Sequence, residues 1–568
     1  MSSPPHSAQV EKTPSDVSDS ETEQRVCDPP RKDYRIKRWA RTTVHHLKKH
    51  TGLGAICAVA YFDPGNWSVD LQAGSEFGYK LLFVVLLSGI MAVVFQAMAS
   101  RLGCVTGLDL ASHCRLLLYD RPKHKLFYRW ALLYPLYILC EIAIISTDLA
   151  ELLGSATALS LLFPSLPLWA GVLITTSDVF LMLAFCDPTR GRPQRVFELV
   201  IGVLVAAVFI CLAVVIAQVT PNWGNAFDGF LPSSTLVRPD ALYTSIGIIG
   251  ATVMPHGLFL GSSLATQDRV SEAQKHENRS TDSIDSEATL PVTSSGVRGT
   301  NTPLKFLALA KRSTRSIFRS WKLSEMDDAA RPDGIGGHAN WENKPLSFVR
   351  AHLRHGITDI VVSLLGFAVA INSLILILAS AVFYYSPKDI DGAGNPADLF
   401  RAHSLIERRV GSGAAVLFAL ALLCAGESAG ITATLAGQVV SEGFLRWHIS
   451  PVLRRLLTRL VGIIPAMLVA AIMGRQGLNT LLVASQVILS FVLPFAAFPL
   501  VWITSSSKLM RVKADSSEHQ AEPKADGVDD SIDYSNSKPV MVLGYLIWLL
   551  VLVANGYVLI TLAMGKDG

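Results

Sequence analysis

Long apolar runs alternate with short polar connections along most of this chain. Each run is about as long as a helix needs to be to cross a bilayer. About eleven stand out, at 53–78, 82–104, 127–152, 165–186, 196–218, 242–266, 357–384, 413–440, 457–474, 478–504 and 540–563. They are too many and too long for a soluble core. The expected fold class is an all-α integral membrane protein.

Two runs are interrupted near their middle. The first contains Ala60-Tyr61-Phe62-Asp63-Pro64-Gly65-Asn66-Trp67. In hydrocarbon a helix must bond its own backbone groups. Pro64 removes a donor and crowds the carbonyl one turn earlier. It also pushes Asp63 out of helical angles, and Gly65 loosens the backbone further. The helix should therefore break at mid-membrane depth, beside a carboxylate that costs about 2.5–3.5 kcal/mol there. A cation or proton would offset that cost. In a soluble protein the same residues would be a plain turn; the apolar context changes the reading. The sixth run repeats the device with Gly250-Ala251-Thr252-Val253-Met254-Pro255-His256-Gly257. Matched interruptions point to a transporter site. They divide ten spans into two halves of five, and an odd number per half makes the repeat inverted.

Half the residues are hydrophobic, 17% are charged and the net charge is +4. Where the charge lies matters more than its sum. Basic residues from Arg31 to Lys49 precede the first span, which places the N-terminus in the cytosol. On that topology the cytosolic loops hold Arg115, Arg121, Lys123, Lys125, Arg129, Arg190, Arg192, Arg195, Arg446, Arg454 and Arg455. The short outer loops hold Lys80, Arg238 and Arg475, and only the longer loop 385–412 runs against the trend. Basic residues beside spans imply attraction to inner-leaflet lipid, not nucleic acid.

The expected organisation is a disordered cytosolic tail (1–50), spans one to six (51–266), a disordered cytosolic loop (267–353), spans seven to ten (354–504), a cytosolic linker (505–539), and span eleven with the C-terminus (540–568). The stretch Leu304–Trp321 reads equally as an amphipathic helix on the inner leaflet or as plain disorder. Trafficking and ubiquitination machinery are candidate partners for these segments. None of the eight cysteines falls in an expected external loop and no CxxC occurs, so neither a disulfide framework nor a thiolate metal site is expected. No P-loop, HExxH motif or nucleophile–base set appears, which argues against an enzyme.

The breaks define a donor set. Asp63 offers a charged oxygen, Asn66 an amide oxygen, and the unwound backbone carbonyls near Ala60 and Ala251. Oxygen alone would suit magnesium or calcium. The thioether of Met254 biases the site toward Mn²⁺, Fe²⁺, Co²⁺, Zn²⁺ or Cd²⁺, although a methionine in an apolar helix is ordinarily packing. Proton coupling needs titratable groups nearby. Glu141, Asp148 and Glu151 are spaced to share one face of span three. His256 follows the second break.

The chain resembles the Nramp family of proton-coupled divalent metal transporters. The resemblance runs through Asp63-Pro64-Gly65-Asn66-Trp67, Val105-Thr106-Gly107-Leu108-Asp109-Leu110-Ala111, Ser146-Thr147-Asp148-Leu149-Ala150-Glu151, Met254-Pro255-His256, Gly426-Glu427-Ser428-Ala429-Gly430 and Ser485-Gln486-Val487, with a span-six pattern most like the fungal branch. It implies a LeuT-like fold with the metal between broken helices one and six. Asp63, Asn66 and Met254 would be side-chain ligands, Ala60 and Ala251 carbonyl ligands, and Gln486 a ligand in occluded states. Arg459 would partner the acids of span three. The metal is cargo, so no resident cofactor is implied.

Three positions depart from the family pattern: Gly257 and Gly261 stand where many members have Asn and His, and Glu427 where many have Gln. Glu427 would add a proton site, alter selectivity, or serve as a polar contact away from lipid. The implied function is proton-coupled import of a divalent transition metal across the plasma membrane or an endosomal or vacuolar membrane. The alternatives are a non-transporting metal sensor and an amino-acid or sodium symporter of the same fold.

Overall fold

The computed structural model describes residues 53–176, 194–268, 341–385, 397–446, 451–513 and 531–564. The tail 1–50, the stretch Leu304–Trp321, most of the loop 267–353, the middle of the linker 505–539 and the end of the fourth span lie outside the described residues.

The first span is two helices, α1 (Leu53–Val59) and α2 (Pro64–Phe77), followed by α3 (Leu82–Thr106). Gly107, at φ 72°, ends α3 in a left-handed cap that only glycine adopts without strain. The short α4 (Leu110–Leu118) is capped by Asp109, whose Oδ1 accepts the Ser112 N–H at 2.9 Å. A π-helical turn at Tyr128–Leu133 leads into α5 (Tyr134–Leu162). Then come α6 (Leu168–Thr176), α7 (Gln194–Val219) and α8 (Trp223–Asp228). The sixth span is again split, into α9 (Pro239–Thr252) and α10 (Pro255–Leu264). Next, α11 (Leu346–Ser363) and α12 (Val369–Ala379) are joined by a π-helical turn. After α13 (Leu399–Arg409) come α14 (Ser412–Leu445), α15 (Pro451–Ile472) and α16 (Gly474–Thr504). Strands β1 (Arg511–Lys513) and β2 (Ser531–Asp533) precede α17 (Lys538–Ala563).

Each expected span corresponds to a helix among the described residues. Seven helical stretches there are long and apolar enough to cross a membrane: Pro64–Thr106, Ile201–Val219, Pro239–Leu264, Leu346–Tyr384, Ser412–Leu445, Gly477–Thr504 and Lys538–Thr561. The helix α5 is as long but carries Glu141, Asp148 and Glu151. Large apolar side chains on α17, among them Leu546, Leu549 and Val553, are exposed. That face suits lipid rather than water.

The structure alters the boundaries in three places. The seventh span begins at Leu346, inside the stretch expected to be loop. Trp341 anchors the turn before it, donating from Nε1 to the Thr106 carbonyl at 2.7 Å. The linker 505–539 is not disordered at its two ends, because β1 and β2 pair antiparallel with Val512 opposite Ile532. Asn343 fastens that ribbon by donating to the carbonyls of Leu509 (2.8 Å) and Arg511 (2.7 Å). The loop 385–412, expected to be external, contains α13, capped by Asp398 and amphipathic along its length.

Candidate functional site

Each break follows from the chemistry of the residue before a proline. Asp63 (φ −63°, ψ 169°) and Met254 (φ −74°, ψ 126°) are both extended, and each is the N-cap of the half-helix that follows. Pro64 and Pro255 occupy the first helical turn, where a missing N–H costs nothing. The consequence appears four residues earlier. An unbroken helix would bond the Ala60 carbonyl to residue 64 and the Ala251 carbonyl to residue 255, and both are prolines. Neither carbonyl has a helical donor.

The side chains at the breaks are sealed from solvent. Asp63, Met254 and Gln486 are 0% exposed, Asn66 and Ala251 1%, and Ala60 2%. Asp63 Oδ1 accepts the Asn66 N–H at 2.9 Å. Asp63 Oδ2, Asn66 Nδ2 and Gln486 Oε1 are buried without a hydrogen-bond partner. Buried polar atoms left unsatisfied mark a place where something else binds. Tyr61, inside the first break, is held by Asn372 of α12, whose Nδ2 donates to the Tyr61 carbonyl at 2.8 Å.

Gln486 of α16 touches both breaks. A Cβ on Gly65 would strike its side-chain amide, and a Cβ on Gly250 would strike its backbone carbonyl. On the far side of the first break, glycines 154 and 426 leave room for the Pro64 ring. The structure thus brings Asp63, Asn66 and Gln486 to one place and sets α9, which carries Ala251 up to the second break, against Gln486. Among the described residues no three His, Cys, Asp or Glu side chains gather to hold a metal. A dication here would rest on one carboxylate helped by neutral donors.

The acids of α5 are paired more finely than expected. Arg459 of α15, 2% exposed, lies 3.5 Å from Asp148 Oδ1 and donates to the Asp148 carbonyl at 3.2 Å. Glu141 takes a different partner, Arg454, at 2.7 Å to both of its oxygens. Sequence reading passed over Arg454 because two arginines on one helix look alike until the helix is docked. Glu151 is fully buried on the same helix. His256 Nδ1 lies 3.4 Å from Thr147 Oγ1, so the α10 imidazole reaches α5 immediately beside Asp148. Glu427 of α14 is half-buried.

Another polar group escaped sequence reading. Tyr61 donates to Gln96 Oε1 at 3.2 Å, and Gln96 Nε2 lies 3.1 Å from Cys57 Sγ. The same amide fills the space where a Cβ on Gly261 would lie, which accounts for glycine at that position.

Residues 54–295 and 336–518 match the Nramp family, described as natural resistance-associated macrophage protein-like. The manganese transporter pdt1 of Schizosaccharomyces pombe is 39% identical over 533 residues, covering 93% of this chain and 88% of its own length. The iron transporter SMF3 of Saccharomyces cerevisiae is 34% identical, with 91% of this chain and 97% of its own covered. A crystal structure of the Eremococcus coleocola manganese transporter with an aromatic bis-isothiourea compound superposes with a TM-score of 0.63 at 28% identity, covering 95% of this chain and 90% of that one.

Proposed function

Because the chain belongs to the Nramp family, we propose that it is a proton-coupled symporter carrying divalent transition metals, Mn²⁺ and Fe²⁺ foremost and also Co²⁺, Zn²⁺ and Cd²⁺, into the cytosol. The observation that carries this reading is the pair of prolines four residues after Ala60 and Ala251. Each broken helix gives up one carbonyl, and the first break adds a buried carboxylate with an unpartnered oxygen.

In this reading the metal is cargo. Asp63, Asn66, Met254, Gln486 and the carbonyls of Ala60 and Ala251 hold it. Sulfur from Met254 favours the softer ions over calcium and magnesium. The half-helices belong to a LeuT-like frame of two inverted five-helix repeats, which rocks about the fixed site. Asp63 accepts a proton when metal leaves, since binding requires the carboxylate. His256, the pairs Asp148–Arg459 and Glu141–Arg454, and Glu151 about one turn beyond Asp148 conduct the proton along α5 toward the cytosol. Glu427 of α14 adds a further carboxylate to the titratable groups of this route. The membrane is the plasma membrane or an endosomal or vacuolar membrane, with the N-terminus cytosolic.

Purified protein in proteoliposomes tests the reading. Mn²⁺ uptake should quicken when the outside is acidified, and protons should enter with it. Uptake indifferent to the pH gradient would remove the coupling. Normal uptake by Asp63→Ala would remove the site.

A further inference from the structure

A second carboxylate lies on the same helix, outward of the first break. Asp70 of α2 is 2% exposed, and its Oδ2 is buried with no hydrogen-bond partner. At 100° per residue, Asn66 and Asp70 fall within about 60° of Asp63 around the helix, and Asp70 stands about 10 Å along the axis. The three therefore share a stripe. Neighbours on either side locate it: Val69 packs on Gly247 of α9, while Gly74 abuts the Leu376 carbonyl of α12. The stripe faces the seam between α9 and α12.

The α12 wall carries matching polarity. Tyr61 and Gly74 of the first span both touch it, at Asn372 and Leu376 respectively. Along the chain Asp70 falls between Tyr61 and Gly74, and Ser373 between Asn372 and Leu376. Ser373 is 6% exposed, and its Oγ lacks a partner, as does Asn372 Oδ1. At the outer end of the stripe the Arg238 guanidinium stands 5.9 Å over Phe77 and is tied to Asp240 at 2.6 Å. That cation is engaged elsewhere. A buried carboxylate oxygen without a partner is costly, and a cation offsets that cost.

We propose that Asp70, with Ser373 and Asn372, forms a second divalent-cation site on the outer approach to the transport site. Its donors are all oxygen, so it takes manganese, calcium and magnesium alike, and selection is left to the deeper site with its sulfur. This proposal rests on the transport reading above. Its role is to concentrate the dication at the entrance, so it affects capture and not the slower rearrangement that follows.

Two measurements on the full-length protein test it. In proteoliposomes, Asp70→Asn should raise KM for external Mn²⁺ about tenfold, leave the maximal rate within about twofold, and weaken competition by external calcium; Asp70→Glu should restore KM. In detergent, Asp63→Ala protein should still bind one Mn²⁺ weakly, seen by paramagnetic resonance, and Asp63→Ala/Asp70→Asn should bind none. Unchanged KM in Asp70→Asn overturns the proposal. So does equal Mn²⁺ binding by the single and double variants, or no binding by Asp63→Ala alone, a result that needs no change at Asp70. Wild-type protein that fails to take up Mn²⁺ would instead overturn the transport reading.

Discussion

Arg454 Nη2 meets both carboxylate oxygens of Glu141 at 2.7 Å, across the contact between α15 and α5. Their side chains are 7% and 19% exposed, so the pair is largely withdrawn from solvent. Removing one partner strands a buried charge, which costs about 3–5 kcal/mol, whereas removing both is far milder. Arg454→Leu should lower the thermal midpoint in detergent, and Glu141→Gln/Arg454→Leu should recover most of the loss. A double variant no better than the single would show that Arg454 is held by something other than Glu141.

Met254 places a thioether side chain at the second break. Met254→Ala should retain manganese uptake while discrimination against calcium falls about tenfold, equivalent to 1.4 kcal/mol. Competition flux in proteoliposomes measures this. Undiminished exclusion of calcium would rule out a sulfur filter.

Gly65 and Gly250 both press on Gln486, but on different parts of it. A methyl at 65 meets the far end of a flexible side chain, which can swing aside. A methyl at 250 meets backbone. Gly250→Ala should therefore cost more stability, with overpacking of this kind worth about 1–3 kcal/mol. Gly65→Ala should fold and lose transport, because the Gln486 amide is pushed away from the first break. Thermal melts paired with uptake separate the two outcomes.

Asn343 joins the turn before α11 to the β1–β2 ribbon through two hydrogen bonds. Asn343→Ala should speed amide exchange at Val512 and Ile532 without changing uptake, each lost bond being worth about 1 kcal/mol. Unaltered exchange would show that the ribbon holds itself.

The parts that sequence reveals are those decided by local backbone chemistry. Pro64 and Pro255 forbid a continuous helix whatever surrounds them, so both breaks fall where the residues place them. The spans are legible for the same reason, since length and apolarity are local. What escapes is register. Arg454 and Arg459 both project from α15, and only docking against α5 gives Glu141 to one and Asp148 to the other. The pairing of Arg511–Lys513 with Ser531–Asp533 escapes as well, because three-residue strands on either side of a polar stretch carry no alternation to read. Asp70 leaves a signal too, an acid seven residues after Asp63, but spacing alone does not reveal that its Oδ2 is buried without a partner.

Gln486 bears on Gly65 with its side chain and on Gly250 with its main chain. One residue of α16 is thus wedged against both fractures. Any displacement of α16 along this line of contact therefore bears on both broken helices at once, softly through an amide at the first and rigidly through main chain at the second.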